Sequence, residues 1–249
     1  MRFDILTLFP DMCKAVTGES ILKRAQSSGA IEVKVTDIRE YADNKHHKVD
    51  DYPYGGGRGM VMAVQPVEAA LSAICEETGE KPYVIYMSPK GKVFDQNKAI
   101  ELSKKEGIVL LCGHYEGVDQ RIIDEYVDEE ISVGDYVLTG GELPALIVVD
   151  SVSRMIEGVL GGEECYEDES IYSGLLEYPH YTRPADYKGM LVPEVLLSGH
   201  DKNIREWRRK KALDITLERR PDLLDKDKLT KEDILYLKEK GWRADGEKK

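Results

Sequence analysis

Ile108-Val109-Leu110-Leu111-Cys112 runs directly into Gly113-His114-Tyr115-Glu116-Gly117. A short apolar run with no polar alternation, closed by glycine, predicts a strand buried on both faces. The same unit recurs on either side. Pro82 to Met87 is an apolar strand ending in Ser88-Pro89-Lys90-Gly91, and Val127 to Val133 leads into Gly134-Asp135-Tyr136-Val137-Leu138-Thr139-Gly140-Gly141. Helical stretches fall between them. Pro66 suits the first turn of a helix to about Glu77, Asp95 caps one to about Glu106, a short one follows Gly117, and Glu142 opens a mostly apolar helix to about Glu157. Strands alternating with helices predict an α/β fold with a largely parallel sheet.

Toward the amino end, Arg2 to Phe9 reads as a strand, and Pro10-Asp11 opens a helix-like stretch that stops at Ser27-Ser28-Gly29. Ile31, Val33 and Val35 alternate in a second strand to Asp37. Tyr41 to Met60 is irregular and holds His46, His47, Asp50 and the run Tyr54-Gly55-Gly56-Gly57-Arg58-Gly59. Toward the carboxyl end, residues 161–174 gather Glu163, Glu164, Glu167, Asp168 and Glu169 with little to bury, which predicts a boundary loop. Beyond it Ile204 to Glu218 is helical and basic. Thr230-Lys231-Glu232-Asp233 resembles a capping box opening a last helix that Gly241 ends. The expected division is a first domain at 1–160, a flexible loop at 161–175 and a small helical domain at 176–249.

With 249 residues, 41% hydrophobic and 33% charged, the chain has the composition of a globular protein rather than a disordered or collagenous one. No apolar run approaches the roughly 20 residues that cross a bilayer, and Asp4 interrupts any signal-peptide core, so a cytoplasmic protein is expected. Cys13, Cys75, Cys112 and Cys165 lack zinc or disulfide spacing and read as reduced thiols. The net charge of −12 argues against a nucleic-acid partner until its distribution is considered. Residues 201–249 carry 16 Lys and Arg against 12 Asp and Glu. The basic groups are segregated.

Three glycine-bearing loops at the carboxyl ends of consecutive strands predict a ligand crevice, the usual position in open α/β sheets. None is G-x-G-x-x-G or a P-loop, and no G-x-S-x-G or H-E-x-x-H occurs. Arg154, after Asp150, Ser151 and Ser153 on an apolar helix, needs a carboxylate, a phosphate or a developing anion. Taken alone, such an arginine more often forms a structural ion pair. From Lys202 to Lys211 six basic residues and Trp207 stand against one acidic residue. Such a run is commonly a solvated face, but it also suits RNA phosphates and unstacked bases.

Together, Tyr54-Gly55-Gly56-Gly57, Gly113 to Gly117, Ser132 to Leu138 with Gly140-Gly141-Glu142-Leu143-Pro144, Asp150 to Arg154 and Pro179-His180-Tyr181-Thr182-Arg183-Pro184 resemble the bacterial tRNA (guanine-N1)-methyltransferase family, of the SPOUT class. The resemblance covers nearly the whole chain. It implies a trefoil-knotted, parallel-sheet N-terminal domain and a helical tRNA-binding domain, an exception to the unknotted rule. It also implies a homodimer that moves a methyl group from S-adenosylmethionine to N1 of the guanosine just 3′ of the anticodon, with Mg²⁺ at a site the sequence does not locate. By similarity, the cofactor contacts are Tyr86, Met87, Ser88 and Pro89; Gly113, Tyr115, Glu116 and Gly117; and Ser132, Val133, Gly134, Asp135, Tyr136, Val137, Leu138, Gly140 and Gly141. Glu177 would join them from the other subunit. Arg154 would stabilise charge developing at the guanine O6. His46, Asp50, Trp207, Arg208, Arg209 and Lys211 fall to the RNA.

The family's general base is an Asp followed by Ser, and here the pair is Glu169-Ser170, preceded by Asp168. A gapless alignment makes Glu169 the base; a one-residue shift makes it Asp168. Two other readings compete: a knotted-class enzyme acting on another base or a ribose, and a non-catalytic RNA-binding dimer. Arg154 and the acidic loop favour catalysis.

Overall fold

The apolar run 108–112 sends its side chains alternately to two cores. Ile108, Leu110 and Cys112 pack on one face of the sheet and Val109 and Leu111 on the other. The computed structural model describes residues 1–160 and 170–243. The chain divides into two compact units, Met1–Gly161 and Gly162–Lys249.

In the first unit the order is β1 (Arg2–Thr7), α1 (Pro10–Thr17), α2 (Ser20–Ser27), β2 (Glu32–Asp37), β3 (Asp50–Asp51), β4 (Val61–Met62), α3 (Val64–Thr78), β5 (Val84–Val93), α4 (Gln96–Leu102), β6 (Gly107–Cys112), α5 (Gln120–Tyr126), β7 (Glu129–Ser132) and α6 (Glu142–Ser153). Five strands form a parallel sheet in the order β2-β1-β6-β5-β7, while β3 and β4 make a short antiparallel ribbon. Both faces of the sheet are covered. Cys13 of α1, Leu22 and Ala25 of α2, Ala99 and Leu102 of α4 and the apolar side of α6 close one; Val67, Ala70, Leu71 and Ile74 of α3 with Ile122 of α5 close the other. Asp4 is buried but satisfied, its carboxylate taking the Arg2 guanidinium at 2.7 Å.

Two sequence expectations change. The stretch after Pro10 is two helices, because Gly18 ends α1 and the Gln26 side-chain amide donates to the Thr17 carbonyl at 2.7 Å, satisfying a group that a continued helix would have used. Ser88-Pro89-Lys90-Gly91 does not end its strand. It is a bulge inside β5, where pairing with β7 breaks off at Met87 and resumes at Lys92. A Cβ on Gly91 would run into the Glu130–Ile131 peptide, so only glycine lets the two strands rejoin. Asp95 caps α4 as expected, accepting from the Lys98 amide at 2.8 Å.

The second unit has a small core of Leu175, Ala212, Leu213, Leu224 and Leu237. Its long helix spans Asp201–Arg219 and its last helix Lys231–Glu239. The capping box is present: Thr230 and Asp233 exchange hydrogen bonds with each other's backbone amides. Asp233 also takes the Arg209 guanidinium at 2.8 Å, tying the two helices together. A hairpin of Asp186–Tyr187 and Met190–Leu191 precedes a short helix, Glu194–Leu197.

Candidate functional site

Strands β6, β5 and β7 are neighbours, so the loops leaving the carboxyl ends of β6 and β7 converge beside the bulge in β5. Between them lies a cavity of about 260 Å³. Tyr86, Met87, Ser88 and Pro89 line it from the β5 bulge, and Gly113 to Gly117 from the loop after β6. The run from Ser132 to Gly141 contributes all its residues except Asp135. Ile131 and Pro144, hidden in a strand and a helix where no sequence signal marks them, complete the lining.

The glycines are there for steric room. A Cβ on Gly141 would lie 2.6 Å from Cys112 Cα and 2.9 Å from the Gly113 nitrogen, both backbone atoms that cannot step aside. The Gly141 amide instead donates to the Gly113 carbonyl at 2.9 Å, stitching the second and third loops together. On Gly113 a Cβ would meet the Tyr86 hydroxyl at 2.7 Å. Gly134, at φ 146°, occupies backbone space that only glycine enters freely. The second loop is held from its other side, because the Glu116 amide donates to the Met60 carbonyl at 3.0 Å and the Met62 amide to the Gly117 carbonyl at 2.9 Å. Tyr115 pays for that geometry with a left-handed φ of 59°.

Beneath the third loop Glu142 is buried, accepting the Thr7 hydroxyl at 2.7 Å. Burial, reinforced by this carboxylate, pushes the Cys112 thiol up, and the same two causes bring Cys13 to about 11. Both thiols therefore stay protonated and inert at neutral pH. Burial likewise raises the Tyr86 hydroxyl, against a hydrogen bond with the Val118 backbone. His114 Nδ1 is buried with no hydrogen-bond partner among the described residues. The cavity thus offers backbone amides and carbonyls, an apolar floor, tyrosine rings and one carboxylate, Glu116; no lysine or arginine lines it.

The other sequence-derived candidates lie elsewhere. Arg154 caps the carboxyl end of α6, half-buried and outside the cavity lining. Asp168 and Glu169 lie outside the described residues. His46 is exposed and Asp50 belongs to β3. In the second unit, Glu177 Oε1 lies 3.3 Å from His180 Nε2, and the Glu177 amide donates to the Ser170 hydroxyl at 2.9 Å. Trp207 is half-buried, its ring 6.4 Å from that of Tyr181. Arg208 is exposed, Arg209 is bound to Asp233, and Lys211 reaches Asp214 at 3.8 Å. Among the described residues no group of three or more His, Cys, Asp or Glu side chains could hold a metal ion. No described helix is long and apolar enough to cross a membrane.

Fold and site define an α/β protein with a cradle that no lysine or arginine lines, followed by a helical unit whose long helix carries the basic run from Lys202 to Lys211. The chain belongs to the tRNA (guanine-1)-methyltransferase family, TrmD, whose pattern it matches over residues 1–226. The tRNA (guanine-N(1)-)-methyltransferase of Ruminiclostridium cellulolyticum is 61% identical over 226 residues, covering 91% of this chain and 97% of that one. The enzyme of the same name from Clostridioides difficile is 58% identical over 227 residues, covering 91% and 98%. The crystal structure of tRNA (m1G37) methyltransferase from Aquifex aeolicus superposes with a TM-score of 0.74 at 43% identity, covering 91% of this chain and 96% of that one.

Proposed function

We propose that this chain, as a cytoplasmic homodimer, transfers the methyl group of S-adenosylmethionine to N1 of the guanosine at position 37 of tRNA. One observation carries the reading: in a chain of this family, the ends of β6 and β7 and the bulge of β5 build a cradle in which added Cβ atoms would strike backbone or ring atoms. Such a cradle suits S-adenosylmethionine, which has no phosphate. Its adenine edge can be met by backbone groups of the 113–117 and 132–141 loops, and its apolar parts by Ile131, Val137, Leu138 and Pro144. The dense glycine packing is also what a chain threaded through its own loop requires, in keeping with the knot the resemblance implies.

When bound, S-adenosylmethionine supplies an electrophilic methyl group on a sulfonium. The chain's own task is at the guanine, whose N1 carries a proton. A carboxylate in the loop, Glu169 by alignment register or Asp168 by side-chain length, accepts that proton. Arg154 stabilises the negative charge that then develops at O6. Glu177 meets the cofactor's amino group from the second subunit, and Asp50, His46 and the basic face at Arg208 and Lys211 hold the RNA. No step is routed through Mg²⁺, because the described residues provide no cluster that fits it.

The dimer reading has its own support. Phe9, Met12 and Val16 sit on one side of α1, Leu143 and Ile147 on one side of α6, and all five are 41–48% exposed. The α6 stripe continues at helical spacing through Asp150 to Arg154. A second copy covering the apolar part would bring its residues up to Arg154 and explain the large exposed side chains.

The test is incubation of the purified protein with S-adenosylmethionine and tRNA carrying G or A at position 37, followed by nucleoside mass spectrometry. 1-Methylguanosine should form from the G37 substrate and not from the A37 one. Methyl on a ribose or on another base would overturn the assignment.

A further inference from the structure

The second unit contains a cavity of about 550 Å³ of which the reading above uses only Arg208. It is enclosed by the run from Tyr178 to Arg183, the hairpin, the short helix Glu194–Leu197 and the start of the long helix. The lining separates by chemistry. Val192, Leu196, Leu197 and Ile204 are aliphatic; Tyr178, His180 and Tyr181 supply ring faces; Arg183 and Arg208 are cationic, and no carboxylate lines the space. The Arg208 guanidinium stands 4.9 Å from the centre of the Tyr178 ring, and that ring lies 4.8 Å from His180. Tyr178 and Arg208 also border an adjoining cavity of about 240 Å³, which adds Arg205, Arg209 and one carboxylate, Glu177. The helix sorts its basic residues by position: Arg209 is used internally by Asp233, while Arg205 and Arg208 make no ion pair among the described residues.

We infer that this cavity receives one unstacked nucleobase of the RNA, other than the methylated guanosine, with the flanking phosphates on Arg205 and Arg208. The inference rests on the tRNA reading and extends it to a second nucleotide. The larger space falls within the roughly 300–1,000 Å³ of small-molecule sites. Aromatic faces beside unpaired guanidinium groups suit a base and its phosphates, the recurring means of holding single-stranded RNA. An acidic peptide would match the arginines but leave the ring faces unused. The cofactor cradle is formed wholly within the first unit and this cavity wholly within the second, so each has its own lining.

The experiment uses the full chain and tRNA carrying 2-aminopurine singly at each anticodon-loop position. Stacking on a ring quenches the probe. One position other than 37 should be quenched on binding, with quenching retained in Tyr178→Phe and lost in Tyr178→Ala. Affinity should fall roughly 5- to 150-fold in Tyr178→Ala, the range for one stacked base. Unaltered melting and S-adenosylmethionine affinity in Tyr178→Ala would support a local effect. Quenching that survives Tyr178→Ala, or that is confined to position 37, overturns the inference. So does dissociation of the dimer by Tyr178→Ala, which would make the cavity a contact between copies. If the parent methylates G37 yet quenches no probe, this inference alone fails; if the parent forms no 1-methylguanosine, the proposed function fails first.

Discussion

The first unit shapes its cavity with backbone, the second with side chains. Around the cradle, Gly113, Gly134, Gly140 and Gly141 bring main chain to the ligand space, and the loops hydrogen-bond one another. Around the second cavity, Tyr178, Tyr181, Arg183 and Arg208 project from elements that share only a small core. The difference teaches where each site is vulnerable. A backbone wall is damaged by adding atoms, most of all at Gly141, whose neighbours are themselves backbone and cannot move aside; a side-chain wall is damaged by removing them.

The comparison breaks most sharply at Gly141. Gly141→Ala places a Cβ against two backbone atoms, so S-adenosylmethionine affinity should fall by about 150-fold, the upper end of the cost of overpacking, measured by calorimetry. Near-normal binding would mean that the wall is pliable and the cavity misassigned. The proposed base at Glu169 or Asp168 serves as the chemical control. Glu169→Gln should slow single-turnover methylation by about 100-fold with cofactor affinity unchanged, and Asp168→Asn should do much less. The reverse order would assign the base to Asp168.

Arg208 and Arg209, adjacent in sequence, test the second unit from within. Arg209→Ala leaves the buried Asp233 carboxylate without its cation and should destabilise that unit by ~1–3 kcal/mol, read as a lowered melting transition. Arg208→Ala should leave melting unchanged. The pH dependence follows from the same pair: burial disfavours the ionised Asp233, but Arg209 and the Thr230 donors outweigh it and hold the carboxyl below its ordinary value. Its contribution is therefore present above the unfolded carboxyl pKa of about 3.9 and disappears as pH falls through the lower folded value. The melting difference between parent and Asp233→Asn should accordingly shrink on acidification below about pH 4. The smallest effect is expected at Lys211, where Lys211→Ala should reduce the log-log salt slope of tRNA binding by about one unit. An unchanged slope would make Lys211 part of a solvated face.

Some of this was legible in the sequence because the determinants are local. The apolar runs 84–87 and 108–112 mark buried strands, Asp95 and Thr230 mark helix starts, and the glycine loops mark a crevice at the strand ends. Each depends on residues within a few positions of one another, so a linear reading suffices. The family resemblance likewise rests on contiguous motifs.

What only the tertiary structure decided involves partners distant in the chain. The order β2-β1-β6-β5-β7, the resumption of β5 against β7 at Lys92, and the use of Gly141 for its contact with Cys112 require groups that lie tens of residues apart. The same holds for the division of labour between Arg208 and Arg209. In sequence they are neighbours in one basic run; on the helix Asp233, 24 residues away, takes the second, and the first lines the larger cavity. A charge pattern establishes that basic groups are gathered, but which of them are free to meet a ligand is settled by what the rest of the chain packs against them.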